Sequence, residues 1–270
     1  MAYATREGTR IFWTEAGEGE PLLLIMGLGA THDMWERLTP VVAPRFRTIL
    51  FDNRGVGRSD IPPPPYSMET MAADAAAVLD AAGLEEAHVF GASMGGMIAQ
   101  EFALRYPSRV RSLILGCTAC GGREAVPARR QVIDALAARE TMTREDALRM
   151  MVPYIYEAAT PRERIDEDIA VRIRTGAPND GYFAQLQAIR SWTGSHSRLG
   201  TIAAPTLVIH GEADDLVPAE NGRVIARAIP NATLVMLPRA SHIFLTDQLE
   251  AASEAILRFL GERVEALRSL

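Results

Sequence analysis

Apolar residues in this chain fall into short dense runs separated by polar, glycine-marked segments. Residues 21–26, 46–51, 87–90, 110–115, 205–210 and 232–237 are runs of this kind. Near-continuous apolar runs of this length predict strands buried on both faces of a sheet. Between them the spacing lengthens to that of helices. Residues 68–82 place Met71, Val78 and Leu79 among many alanines, with Ser67 as N-cap, Glu69 in the first turn and Gly83 after the end. Residues 94–104, 221–229 and 249–267 also predict helices, and a short one at 38–42 stops near Pro44. Residues 3–6 and 10–15 predict a hairpin around Glu7-Gly8-Thr9. Strand–helix alternation with such strands predicts an α/β fold, a mostly parallel sheet covered by helices on both faces.

The pattern changes between residues 121 and 200. Strands disappear, and helical patches near 127–139, 143–152, 161–174 and 180–192 are separated by prolines and glycines. This block predicts an inserted helical cap, 121–200, with residues 1–120 and 201–270 forming the core. Met151, Tyr154 and Trp192 are its candidates for lining a substrate pocket.

Composition adds limits. With 270 residues, 48% hydrophobic and 23% charged, the chain is long enough for one large α/β unit with an insertion. A net charge of −6 argues against nucleic acid or an anionic membrane as partner. The N-terminus has no apolar stretch of signal-peptide length, and no run approaches the ~20 residues of a membrane span. A cytoplasmic protein is expected. Cys117 and Cys120 form a lone Cys-x-x-Cys with no second pair; they read as small apolar residues at a strand end. Pro62 to Pro65 read as a rigid loop.

The chemistry centres on Gly91-Ala92-Ser93-Met94-Gly95. Gly-x-Ser-x-Gly between a strand and a helix is a turn too tight for side chains at its flanks, which exposes the serine hydroxyl at the positive end of the helix. Gly27-Leu28-Gly29 follows the first buried run and suits an anion-binding nest. A serine nucleophile needs a base, and the base needs an orienting acid. Of five histidines, His88 and His210 lie within apolar runs and read as structural, His32 suits a helix start, and His196 ends the cap. His242 lies just past the last strand, and in a parallel sheet that loop shares an edge with Ser93. Asp214 or Asp215, after the strand ending at His210, would sit at the same edge.

Together these segments, with Asp52-Asn53-Arg54-Gly55-Val56-Gly57-Arg58-Ser59, Gly211-Glu212-Ala213-Asp214-Asp215-Leu216-Val217-Pro218 and Ser241-His242, resemble the α/β-hydrolase superfamily over nearly the whole chain. Residues 52–66 and 93–98 are similar to those of 3-oxoadipate enol-lactonases and related small esterases. Many of those carry His-Gly where this chain has Met26-Gly27. The resemblance implies Ser93 as nucleophile, His242 as base and Asp214 as acid. It implies an oxyanion hole at the N–H groups of Leu28 and Met94, and neither cofactor nor metal. The expected substrate is a small ester or lactone held by Leu28, Trp35, Met94, Met151, Tyr154, Trp192, Ile243 and Phe244. The same triad also serves cofactor-free perhydrolysis or haloperoxidation, carbon–carbon bond hydrolysis, and non-turnover ligand sensing. Dehalogenase and epoxide hydrolase chemistry would need aspartate where Ser93 stands. Arg129, Arg130 and Arg190 read as solvated charges, or as carboxylate ligands if the substrate is a dicarboxylic lactone. Nothing in the pattern bears on oligomeric state.

Overall fold

The computed structural model describes residues 2–268. Its eight strands are β1 (Ala2–Arg6), β2 (Thr9–Ala16), β3 (Glu20–Ile25), β4 (Phe46–Phe51), β5 (Ala87–Ala92), β6 (Val110–Gly116), β7 (Thr206–Gly211) and β8 (Ala232–Leu237). They form one sheet in the order β1-β2-β4-β3-β5-β6-β7-β8. The β1–β2 and β2–β4 pairs are antiparallel, and every other pair is parallel.

The apolar runs are continuous because each strand feeds two cores. Leu23 and Ile25 of β3 join the cluster on one face, while Leu22 and Leu24 join the cluster on the other. Val89 and Phe90 of β5 divide in the same way, as do Val208 and Ile209 of β7. Each large side chain buried this fully contributes about 1.5–3 kcal/mol. The first face is covered by α2 (Met68–Ala81) and α3 (Met94–Arg105), and the second by α1 (Thr39–Val42) and α11 (Leu249–Arg268). Ser67 caps α2 by accepting the Thr70 N–H at 3.1 Å.

Between β6 and β7 lie α4 (Arg130–Ala137), α5 (Arg144–Ile155), α6 (Arg162–Thr175), α7 (Asn179–Ser191) and α8 (His196–Leu199). Helix α9 (Glu220–Ala228) joins β7 to β8, and α10 (Phe244–Asp247) precedes α11. Helix α4 begins three residues later than its pattern suggests. Helix α5 runs on past Pro153, because Ile155 and Tyr156 beyond it are buried in the cluster that α5 shares with α4 and α6. The block 121–200 is not packed as one body. Ala184 and Ala188 of α7, and Trp192 after it, belong to the main cluster of the first sheet face.

Register aligns the carboxyl ends of the central strands. Ile25 pairs with Gly91, Gly91 with Leu115, and Gly116 with Ile209. The chain leaves β3 toward β4 on one side and returns to β5 on the other, so the loops after β3 and β5 diverge and leave a crevice.

Candidate active site

Ser93 occupies the turn between β5 and α3 with φ 57° and ψ −123°, a region in which a non-glycine residue is strained by about 1–3 kcal/mol. Its neighbours hold it there. A Cβ on Gly95 would lie 2.0 Å from the carbonyl oxygen of Ile25, and one on Gly91 would lie 2.1 Å from that of Gly95. Only glycine lets strand, turn and helix approach this closely. The Ser93 N–H donates to Gly116 O at 2.9 Å, and Thr118 Oγ1 donates to Ser93 O at 2.7 Å. The backbone is pinned on both sides while the hydroxyl stays at the mouth.

His242 Nε2 is 3.0 Å from Ser93 Oγ, and His242 Nδ1 is 2.8 Å from Asp214 Oδ2. Asp214 Oδ1 accepts the N–H groups of Leu216 at 3.0 Å and Val217 at 2.8 Å. Burial by itself raises the Asp214 carboxyl, but His242 and His210 outweigh it and hold it below its ordinary value. Asp215 turns outward to pair with Arg129 at the surface, so Asp214 is the acid in line. His210 is buried, with Nε2 at 2.8 Å from Val217 O and 3.2 Å from Asp214 Oδ2. It reads as structural in the sequence; in the fold it steadies the turn that carries Asp214. Nothing in its apolar run signals that second task.

The loop after β3 faces the same hydroxyl. A Cβ on Gly27 would lie 3.0 Å from Ser93 Cβ. Among the described residues, the N–H groups of Leu28 and Met94 have no acceptor within the protein. The next N–H, of Gly29, donates to Gln185 Oε1 at 2.9 Å, and Gln185 Nε2 donates to Arg54 O at 2.8 Å. Asn53 Nδ2 holds Met26 O at 2.8 Å. Asp52 Oδ1 accepts the His32 N–H at 2.9 Å and lies 2.7 Å from its Nδ1, which fixes His32 at the start of a 3-10 turn. Gln185 carries no sequence signal, since a glutamine on a helix becomes informative only once its facing loop is known.

A cavity of about 140 Å³ opens above Ser93, comparable with one that admits a benzene-sized molecule. Leu28, Trp35, Met151, Ile243 and Phe244 line it, and Leu148, Ile155 and Tyr182 join them. Tyr154 and Trp192 do not line it. Tyr154 packs against the α4–α6 cluster, while Trp192 is buried with its Nε1–H donating to Glu101 Oε1 at 2.9 Å. The Met94 side chain is buried in the sheet cluster and does not line the cavity. Arg129 and Arg130 pair with Asp215 and Asp134 at the surface, Arg190 is exposed, and the arginines that do reach the cavity are Arg37, Arg144 and Arg172.

Cys117 also lines the cavity, but burial first and the Asp214 charge second push its thiol well up, so it stays protonated. Burial pushes Cys120 up to about 11. Among the described residues, no group of three or more His, Cys, Asp or Glu side chains is placed to hold a metal ion, and no helix is long and apolar enough to cross a membrane.

A strained serine at a strand–helix turn stands in line with histidine and aspartate from later loops, the geometry of a candidate hydrolase site on an α/β sheet. The chain belongs to the α/β-hydrolase fold family, whose profile matches residues 20–248. It is 34% identical over 243 residues to a poly(3-hydroxyalkanoate) depolymerase of Ectopseudomonas oleovorans, covering 90% of this chain and 84% of that protein. It is 33% identical to a putative carbamate hydrolase of Azorhizobium caulinodans, covering 97% and 99%. The structure of an enol-lactonase from Burkholderia xenovorans superposes with a TM-score of 0.85 at 26% identity, covering 96% of this chain and all of that one.

Proposed function

We propose that this hydrolase cleaves carboxylic esters or lactones through an acyl-enzyme on Ser93. The observation that carries this reading is the line from Ser93 Oγ through His242 to Asp214, with contacts of 3.0 and 2.8 Å. In the proposed mechanism His242 takes the Ser93 proton as the oxygen attacks the acyl carbonyl. Asp214 holds the imidazole with Nε2 free to accept and stabilises the imidazolium that forms. The N–H groups of Leu28 and Met94 receive the oxyanion, at about 3–4 kcal/mol per donor. His242 returns the proton to the leaving alcohol, then activates the water that releases the acid. Two features favour an acyl substrate of modest size: the apolar lining and the small volume of the cavity.

Steady-state hydrolysis of acyl 4-nitrophenyl esters from acetyl to octanoyl, beside a small panel of lactones, tests this. Ser93→Ala is expected to lower kcat by roughly 10⁴- to 10⁶-fold with the fold intact. Retention of most activity by that variant sinks the serine mechanism.

A further inference from the structure

The loop after β3 supplies one of the two proposed oxyanion donors, yet little in its own sequence fixes its shape. Leu28 stands between Gly27 and Gly29, and peptide planes beside glycine turn at small cost. Two N–H groups of the loop are engaged. Ala30 N–H donates to Gly27 O at 3.3 Å and closes the turn, and Gly29 N–H donates to Gln185 Oε1 at 2.9 Å. Between them, Leu28 N–H has no acceptor among the described residues.

The shape is imposed by α7 and the segment that leads into it. Gly29, at φ 65°, lies under the Tyr182 ring, which leaves no room for a Cβ. Its carbonyl oxygen accepts the Ala177 N–H at 3.4 Å. Leu28 packs on the cluster of Val56, Ala177, Tyr182 and Leu186. Gly181 approaches Gly55 so closely that a Cβ would overlap the Gly55 carbonyl oxygen. Gln185 lies three residues after Tyr182, hence on the same face of α7, and is fully buried. A buried amide is costly unless both of its ends are paired. This one accepts from Gly29 and donates to Arg54 O at 2.8 Å, so it bridges the backbones of two loops. Ala184 and Ala188 fasten the same helix to the main sheet cluster, which makes the anchor a fixed one. Leucine or methionine would serve packing alone; the amide serves the two backbone groups it holds.

We infer that Gln185 is a positioning residue for the oxyanion hole. By taking the Gly29 N–H it fixes the Leu28–Gly29 peptide plane, and so keeps the preceding Leu28 N–H where the oxyanion forms. A donor displaced by about 1 Å loses much of its hold on developing charge, while the neutral ground state is little affected. The inference rests on the acyl-hydrolase reading for the charge that Leu28 N–H meets.

The test uses the full chain with 4-nitrophenyl butyrate as substrate. Butyl trifluoromethyl ketone is the oxyanion probe, and butyl methyl ketone is its uncharged counterpart. Ser93 Oγ adds to the trifluoroketone carbonyl carbon, the Ser93 proton passes to His242, and the carbonyl electron pair becomes the oxyanion. Fluorine NMR reports this adduct, which Ser93→Ala cannot form. Gln185→Met is expected to lower kcat roughly 10- to 100-fold and to weaken the adduct by a similar factor. KM and the affinity for butyl methyl ketone should stay within about twofold. Gln185→Glu should recover most of the loss, because a carboxyl buried there stays protonated and keeps both an acceptor and a donor. If Gln185→Met does not fold, Gln185→Asn, which withdraws the amide by one methylene, carries the same expectation. Unchanged kcat and adduct affinity overturn the positioning role and leave the ester reading standing. A loss that falls equally on KM and on butyl methyl ketone also overturns it, since that marks a misshapen pocket. An adduct that weakens in Gln185→Met, without ester turnover in the wild type, upholds the role and defeats the ester reading. A wild type that forms no adduct overturns both.

Discussion

Ser93 and Met151 face the same cavity from two kinds of structure. Ser93 sits where parallel strands end, and its position is set by backbone: the carbonyls of Ile25, Gly95 and Gly116 leave the turn one conformation. Met151 sits on α5, whose position is set by side chains. The α4–α6 helices have a small cluster of their own and are tied to the core by Arg37 and Thr246 converging on Asp168, and by Ile243 N–H donating to Ile155 O at 2.9 Å. Backbone packing tolerates almost no change at the reacting atoms, whereas side-chain packing lets the chamber above them be reshaped. On the proposed mechanism, chemistry belongs to the first region and substrate choice to the second.

The largest expected effect that sharpens this contrast is Asp214→Asn, which should lower kcat by about 10⁴-fold through the wrong imidazole tautomer. Asp215→Asn, one residue on but turned outward, should leave kcat within about twofold, because exposed ion pairs contribute little. Equal losses from both would place the acid wrongly. Next is Asp168→Ala, which strips Arg37 and Tyr156 of a buried partner. It should cost about 3 kcal/mol in urea unfolding, at the lower end for a broken buried pair because Glu167 still holds Arg37. A loss below about 1 kcal/mol would mean that the helices over the site are held by something else.

The sheet supplies a pH-dependent counterpart. His88 lies within β5 against Ser112 Oγ at 2.8 Å, and burial lowers it to about 4 from 6.5. Its folded value is depressed, so the unfolded chain binds more protons between pH 6.5 and 4, and stability falls as pH falls through that window. Between pH 7 and 5 the loss should be about 2 kcal/mol, read as a shift in urea midpoint, and His88→Asn should flatten it. A pH-independent midpoint in the wild type would contradict the buried neutral imidazole. The smallest effects separate the two aromatic or thioether residues that sequence treats alike. Met151→Ala should lengthen the preferred acyl chain. Trp192→Phe should leave that preference alone and cost about 1 kcal/mol for the lost hydrogen bond to Glu101. A changed chain-length optimum in Trp192→Phe would return that residue to the pocket wall.

Much of the site was legible because it is built from local rules. Gly91-x-Ser93-x-Gly95 marks a backbone conformation that few sequences allow, and loops that follow parallel strands must share an edge, so chain order brings His242 and either Asp214 or Asp215 to the edge of Ser93, and only the resemblance to the family pattern singles out Asp214. The alternating faces of β3, β5 and β7 were equally legible, since strands buried on both sides read as near-continuous apolar runs, broken here by His88, Thr206 and His210. What the tertiary structure alone decided concerns side chains whose partners lie far away in sequence. Tyr154 and Met151 differ by less than a turn on α5 and both pack in the α4–α6 cluster, yet only Met151 also lines the cavity. Trp192 follows a helix that packs on the core and turns to Glu101. Gln185 matters because Gly29 lies opposite. Periodicity says that a helix has an apolar stripe; only the helix's place against its neighbours says which residues beside that stripe meet a ligand, because orientation is a property of the packed whole.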